Sequence, residues 1–168
     1  MFVHGTTTIN MGIRNTGICF AVVEIGFYYT HRIFHGPFFY KNFHKKHHEW
    51  RAPVSITSIY CHPLEHAISN LGPIIIGPII CGSHVAFLWF LAIFALFSTT
   101  CSHSGYHFPF MLPAEHHDWH HQNGHECYGI GPGLDRLHNT DRQFRETVGA
   151  RRSFISFSFK PVQEQVPQ

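Results

Sequence analysis

Charge is what this sequence has least of. Only 13% of its 168 residues are Asp, Glu, Lys or Arg, about half the share of an ordinary soluble domain. The net charge of +2 is too small for the basic surface that nucleic-acid binding requires. Cysteine is sparse and scattered: Cys19, Cys61, Cys81, Cys101 and Cys127 are odd in number, with no CxxC pair among them. Neither a disulfide framework nor a thiolate zinc site follows from that, and five reduced thiols fit a reducing compartment. The opening MFVHGTTTIN lacks the basic-then-apolar order of a cleaved signal peptide.

Between Glu65 and Glu115 lie 49 residues without a single Asp, Glu, Lys or Arg. Residues 71–97 are dominated by Ile, Leu, Val, Phe and Ala, interrupted by Ser83 and His84. An uncharged run beyond about 18 residues marks membrane insertion. A buried core helix would instead need amphipathic partners, and this chain offers few. Gly82-Ser83 supplies a bend, so the run reads as an apolar hairpin over about 68–100. Its arms of roughly 14 to 17 residues reach about 21 to 25 Å, short of the ~30 Å hydrocarbon core, so the hairpin need not traverse completely. A second apolar stretch predicts a membrane helix over about 15–35. It carries Glu24, which reads more simply as facing protein near the interface than as an intramembrane functional carboxylate. After Asp141 the composition turns to Arg, Lys, Ser, Gln and Pro, predicting a basic, mobile tail over 142–168.

Histidine is the excess. There are 17, and 11 of them fall within 31–48 and 103–121. His31 and His35 are spaced i, i+4, as are His103 and His107. His44, His47 and His48 are spaced i, i+3, i+4, and His117, His120 and His121 repeat that pattern. On a helix such offsets stack side chains along one face. Imidazole suits iron, zinc, copper or nickel, whereas oxygen donors suit magnesium and calcium. A structural zinc needs only four ligands in a closed tetrahedron. Ten histidines divide into two metals with about five each, leaving a six-coordinate iron one open position for a small molecule such as dioxygen. Iron is therefore preferred, although zinc can be trapped in such a site on purification. Metal-bound imidazoles usually hand their other N–H to a carboxylate or carbonyl. Glu65 and Asp118 are candidates for that part, and His62 and His66, also i, i+4, are additional ligands or supports. If both clusters serve one dinuclear centre they lie on one side of the bilayer, which requires the intervening run to return. Lys41, Lys45, Lys46 and Arg51 place that side in the cytosol by the positive-inside rule.

The segments HRIFH (31–35), HKKHHEW (44–50), APVSITSIYCHPLEH (52–66), HSGYHFPF (103–110), HHDWHH (116–121) and GLDRLHNTD (133–141) together resemble the fatty acid hydroxylase/sterol desaturase superfamily. The nearest branch is one akin to the methylsterol monooxygenases, and the likeness covers about 17–141. The resemblance implies an all-α integral membrane enzyme of the endoplasmic reticulum. Its transmembrane or re-entrant helices would be topped by a cytosolic histidine-rich helical cap, here 31–66 and 103–141. It implies two iron ions held by His31, His35, His44, His47, His48, His103, His107, His117, His120 and His121. It further implies O2 as co-substrate, a sterol or fatty-acyl lipid as substrate, and electrons from NAD(P)H through cytochrome b5 or a reductase. Family members generally carry more membrane helices before the first histidine box, so the likeness reads this chain as N-terminally truncated. QNGHECYG (122–129) and the tail depart from the family pattern. A rival reading is a non-catalytic membrane protein that retains the metal site and pairs with or regulates a full-length relative. A zinc-dependent membrane hydrolase would be expected to carry a motif such as HExxH, which is absent.

Overall fold

Long unbroken helices follow from a chain with few charges and long apolar runs, because a backbone removed from water must satisfy its hydrogen bonds internally. The computed structural model describes residues 3–160 and 162–166, with side chains from Gly12 onward except that of Gln163. It is all-helical, with no strand among the described residues. Helix α1 spans Val3–Phe34, starting well before the expected boundary near 15. After a bend at Gly36, α2 covers Pro37–Asn42, and short 3-10 turns follow at His44–Glu49 and Ser55–Ile59.

The apolar run is a helical hairpin. Its first arm, α3, is Pro63–Cys81, and its second, α4, is Val85–Ser102. The bend falls where the sequence places it: Gly82 takes φ +57°, and His84 caps α4 by accepting from the Ala86 N–H at 3.1 Å. The arms contain 19 and 18 residues, about 28 and 27 Å of helix. They are longer than the expected 14 to 17 because the first arm begins at Pro63 rather than near 68 and the second runs on to Ser102. Within α3 the turn His66–Leu71 widens to π-helix, and Gly72 N–H reaches back to Ala67 O. Pro73, which has no N–H to offer, follows at once. Both arms are long and apolar enough to cross a membrane. Only Leu91 and Cys101 of α4 are buried, so α4 is no core helix of the described fold.

Helices α1 and α3 pack antiparallel along a line of small residues. The Asn15 side chain reaches Cys81 O, a Cβ on Gly77 would stand 3.0 Å from Cys19 Cα, and a Cβ on Gly26 would stand 2.9 Å from Pro73. Small residues that let helix backbones approach are the usual device where water cannot drive association. This packing sets α1 upright, so that its last turn delivers His31 and His35 to the cap. The cap itself is the segment 36–62 together with α5 (Ala114–Asn123) and α6 (Pro132–His138). Beyond Asp141, where composition suggests a mobile tail, the described chain turns back on the cap through α7 (Val148–Arg152) and α8 (Val162–Gln165), burying Phe144, Ser156 and Val162.

Gly77→Val tests the helix pair. The new side chain would meet Cys19 backbone atoms, and detergent-solubilised protein is expected to lose about 1–3 kcal/mol of unfolding free energy. Unchanged thermal unfolding would show that the two helices do not pack at this point.

Candidate metal centre

Nine histidines meet at the inner end of α1 in two adjoining groups. His31, His35, His44, His48 and His120 form one; His47, His103, His117 and His121 form the other. Within each group, one ring nitrogen from every histidine lies within 4.8 Å of all the others. The groups share a wall, where the His48 and His121 rings stack at 4.5 Å.

The i, i+4 and i, i+3 spacings take different parts. On a helix, i+4 lies about 40° round the axis and i+3 about 60° the other way. His31 and His35 serve one group, and so do His117 and His121, whereas His120 faces the other group. Residues 44–49 are a 3-10 turn rather than the expected α-helix, and His48 leaves helical geometry at φ −86°, ψ 17°. His44 and His48 still point together, while His47 crosses over. The spacing of His103 and His107 is not helical at all. The helix α4 stops at Ser102, and Gly105 turns at φ +70°. His107 therefore stands apart from both groups, with its ring 5.4 Å from Phe154 and its Nδ1 3.5 Å from Glu115.

Outward-facing ring nitrogens are pinned. His31 Nδ1–H donates to Tyr128 O (2.7 Å), His120 to Glu126 O (2.7 Å), His103 to Thr99 O (2.8 Å), His121 to Trp50 O (3.2 Å) and His47 to Tyr60 O (3.3 Å). His44 Nδ1 lies 2.7 Å from the Glu65 carboxylate. A carbonyl oxygen can only accept, so Nδ1 carries the proton and a neutral ring has only a lone pair at Nε2. His47 and His103, both pinned in this way, bring their Nε2 atoms to 3.4 Å. Two lone pairs with no proton between them repel, and a cation at that point would relieve the repulsion. Nε2 atoms elsewhere in the groups are 2.8 to 3.2 Å apart. Burial holds the rings neutral: it lowers His47 to about 4, His103 to about 3 and His48 to about 2, and pushes His117, His120 and His121 down as well. Repulsion from neighbouring imidazoles adds to the effect at His48, His103 and the last three.

The remaining sequence candidates lie outside the groups. His62 accepts from Leu64 N–H and caps α3, and His66 contacts Asn70. Asp118 bonds no histidine among the described residues; burial, then Glu115, raises its carboxyl to about 6. Glu24 lies against the 129–131 loop, its Oε1 3.2 Å from where a Gly129 Cβ would stand.

Residues 16–140 match the family described as fatty acid hydroxylase. The chain belongs to the fatty acid hydroxylase family. Fatty acid hydroxylase domain-containing protein 2 of Homo sapiens is 47% identical over 146 residues, which cover 87% of this chain and 44% of that protein. Fatty acid hydroxylase ahd1 of Mycosarcoma maydis is 42% identical over 137 residues, 79% of this chain and 36% of that protein. Methylsterol monooxygenase 1 of Rattus norvegicus is 36% identical over 135 residues, 75% and 46% respectively. The chain thus spans less than half the length of each of these relatives. No solved structure matches it.

Within this family domain, side-chain reasoning misses the framework that aims the rings, because most of it is backbone. The 122–129 segment supplies two of the pinning carbonyls, from Glu126 and Tyr128. Cys127 between them takes φ +61°, a conformation that needs outside support in any residue but glycine. The support comes from Cys127 N–H to Thr140 O (2.7 Å) and from Asp135. The fully buried Asp135 carboxylate accepts from Tyr128 N–H (2.9 Å), Gly129 N–H (2.8 Å) and Thr140 Oγ1 (2.6 Å). The readable signal for it was its place in GLDRLHNTD, five residues before Thr140.

Two outcomes follow from this geometry. Asp135→Asn replaces one of two acceptor oxygens with an NH2 group that faces a backbone N–H, that of Gly129 or of Tyr128 according to its rotamer, and is expected to cost about 1–3 kcal/mol in stability; an unaltered denaturation midpoint would contradict that role. The folded-state values of His47 and His103 lie below the ordinary 6.5. Below that pH the unfolded chain therefore takes up protons the native chain refuses, and stability falls as pH drops toward their folded values. Melting temperatures in detergent should decrease between about pH 7.5 and about pH 5, and a flat or rising profile would count against buried neutral imidazoles.

Proposed function

We propose that the nine convergent histidines hold two iron ions and that the chain acts as an O2-dependent oxidoreductase on lipid, a monooxygenase of the hydroxylase or desaturase type. Its substrate would be a sterol or fatty-acyl lipid of the membrane. The observation that carries this reading is the double convergence of Nε2 lone pairs whose rings are locked from behind. Family membership and the methylsterol monooxygenase relative support the reaction class.

The donor set fits iron. It is all imidazole, which disfavours magnesium and calcium. Groups of five and four nitrogens leave room in an octahedral sphere, unlike a closed structural zinc site. The proposed ligands are His31, His35, His44, His48 and His120 for one ion and His47, His103, His117 and His121 for the other, with Glu65 fixing the His44 ring. Such a pair of irons, when bound, supplies dioxygen activation for attack on an unactivated C–H bond, with electrons from NAD(P)H by way of cytochrome b5 or a reductase.

The protein's own part is to orient and to keep dry. His120, His44, His103, His31 and His121 are all almost completely buried, so water has little access to the nitrogens. Tyr40 and Tyr128 lay their rings 5.7 and 5.1 Å from His35. The uncovered apolar surface of α4 ends directly at His103, giving a lipid lying along that helix a route to the second group. A membrane setting accounts for the exposed Trp89, Phe90, Ile93 and Phe97 on α4, which water would not tolerate as a continuous face. Lys41, Lys45, Lys46 and Arg51 on the cap, and five free thiols, favour the cytosolic face of the endoplasmic reticulum. A non-catalytic partner of a longer relative is disfavoured by the completeness of both donor groups.

The test is metal content of detergent-purified protein. Wild type is expected to carry about two irons per chain and the His47→Ala/His120→Ala variant to lose both. His107→Ala should keep them, since His107 stands outside both groups. Oxygenated lipid should appear only with iron-loaded wild type supplied with NADPH and a reductase. Folded, metal-free wild type would overturn the reading.

A further inference from the structure

Three phenylalanines outside the site form a patch that covers no core. Phe159 and Phe157 are 85% and 77% exposed, and the Phe110 ring lies 6.2 and 5.8 Å from them. Their backbone is nonetheless held firmly. Phe110 takes φ +65° and donates its N–H to Ser156 O at 2.8 Å. Ser156 points inward, its hydroxyl bonded to Ser158 O and Gln165 Oε1, and Phe157 and Phe159, one and three residues further on, point out. Rings this exposed on a frame this constrained call for an apolar environment.

The patch has a definite place in the molecule. Glu24 lies seven residues before His31 on α1, about 10 Å along the axis, on the side where α1 packs with α3. The 129–131 loop lies against Glu24, and a Cβ on Gly131 would stand 4.0 Å from Leu112, two residues after Phe110. A cleft of about 160 Å³ lined by Leu112, Ile130, Pro132, Phe154 and Ile155 joins the two loops. Phe110 itself follows the end of α4 by only eight residues. The aromatic rings therefore lie close to the 129–131 loop, a short stretch of chain beyond the end of α4. Arg151 and Arg152 precede the segment and Lys160 follows it, the order of charge and aromatic expected at a headgroup boundary.

We infer that Phe110, Phe157 and Phe159 are an interfacial anchor that enters the bilayer surface beside α4, with Arg151, Arg152 and Lys160 at the phosphates. The inference rests on the proposed membrane insertion and extends it to a segment beyond the family match at 140. The anchor would set the height of the cap above the lipid independently of the hairpin.

Tryptophan quenching in vesicles of phosphatidylcholine and phosphatidylserine with brominated chains tests it. Trp89, exposed on α4, reports the hairpin through the difference between wild type and Trp89→Phe. Phe159→Trp and Phe157→Trp, at exposed positions, each add an emission that reports the anchor. That added emission is expected to lose roughly half its intensity on bromination, as insertion by about 5–10 Å would require, and to lose more with bromines near the headgroup than near the chain ends. Quenching of Trp89 without quenching of the added emission would overturn the anchor and leave the membrane reading standing. Quenching of neither would overturn both.

Discussion

Nine imidazoles brought nitrogen to nitrogen in a buried space repel one another unless a cation lies between them, and most of the cap can be read as the means of holding them there. The rings cannot escape by protonation, because burial keeps them neutral. They cannot turn their lone pairs away, because at least five Nδ1–H groups are tied to backbone carbonyls. Those carbonyls come from Trp50 and Tyr60 of the cap, Thr99 near the end of α4, and Glu126 and Tyr128 of the loop after α5, so three separate stretches of chain share the task. Locking the tautomer from behind is what makes the inward nitrogens donors to metal rather than donors of hydrogen bonds.

The same constraint governs the long helices. His31 and His35 arrive on α1 and His103 at the end of α4, so both helices must end at one level. The α3–α4 hairpin achieves this by descending and returning with arms of nearly equal length. Close packing of Gly77 on Cys19 and of Gly26 on Pro73 then fixes α1 against α3. A shift of one helical turn, about 5.4 Å, exceeds the spacing that defines each donor group. The convergence of the histidines thus depends on small residues well away from them.

Much of this was legible in the sequence, for physical reasons that differ by element. The hairpin was readable because a 49-residue gap in charge is a compositional fact and Gly82 is a backbone signal. The histidine clusters were readable because ligand spacing is encoded in side-chain identity. The arm lengths were misjudged because Glu65 and His66, polar residues at the cap, hid the start of α3 at Pro63. Spacing and the family resemblance both group His107 with His103, whereas Gly105 between them ends the helical register and sets His107 apart from both groups. The pinning carbonyls left no side-chain trace, since any residue carries a C=O. The packed course of the segment after Asp141 depends on tertiary contacts that composition does not express: the Glu126 carboxylate accepts from Gln143 N–H and Phe144 N–H, and Ser156 O accepts from Phe110 N–H.

The interleaving of the two donor groups has a consequence for how they behave. His47 and His48 are neighbours in the chain yet serve different groups, and so are His120 and His121. An exchange of this kind, in which the i, i+4 pair stays and the remaining histidine crosses, makes each short segment a shared wall. Neither group can expand, tilt or lose a ligand without moving a backbone that also positions the other. The two groups are therefore mechanically coupled through the segments 44–49 and 117–121 that they share.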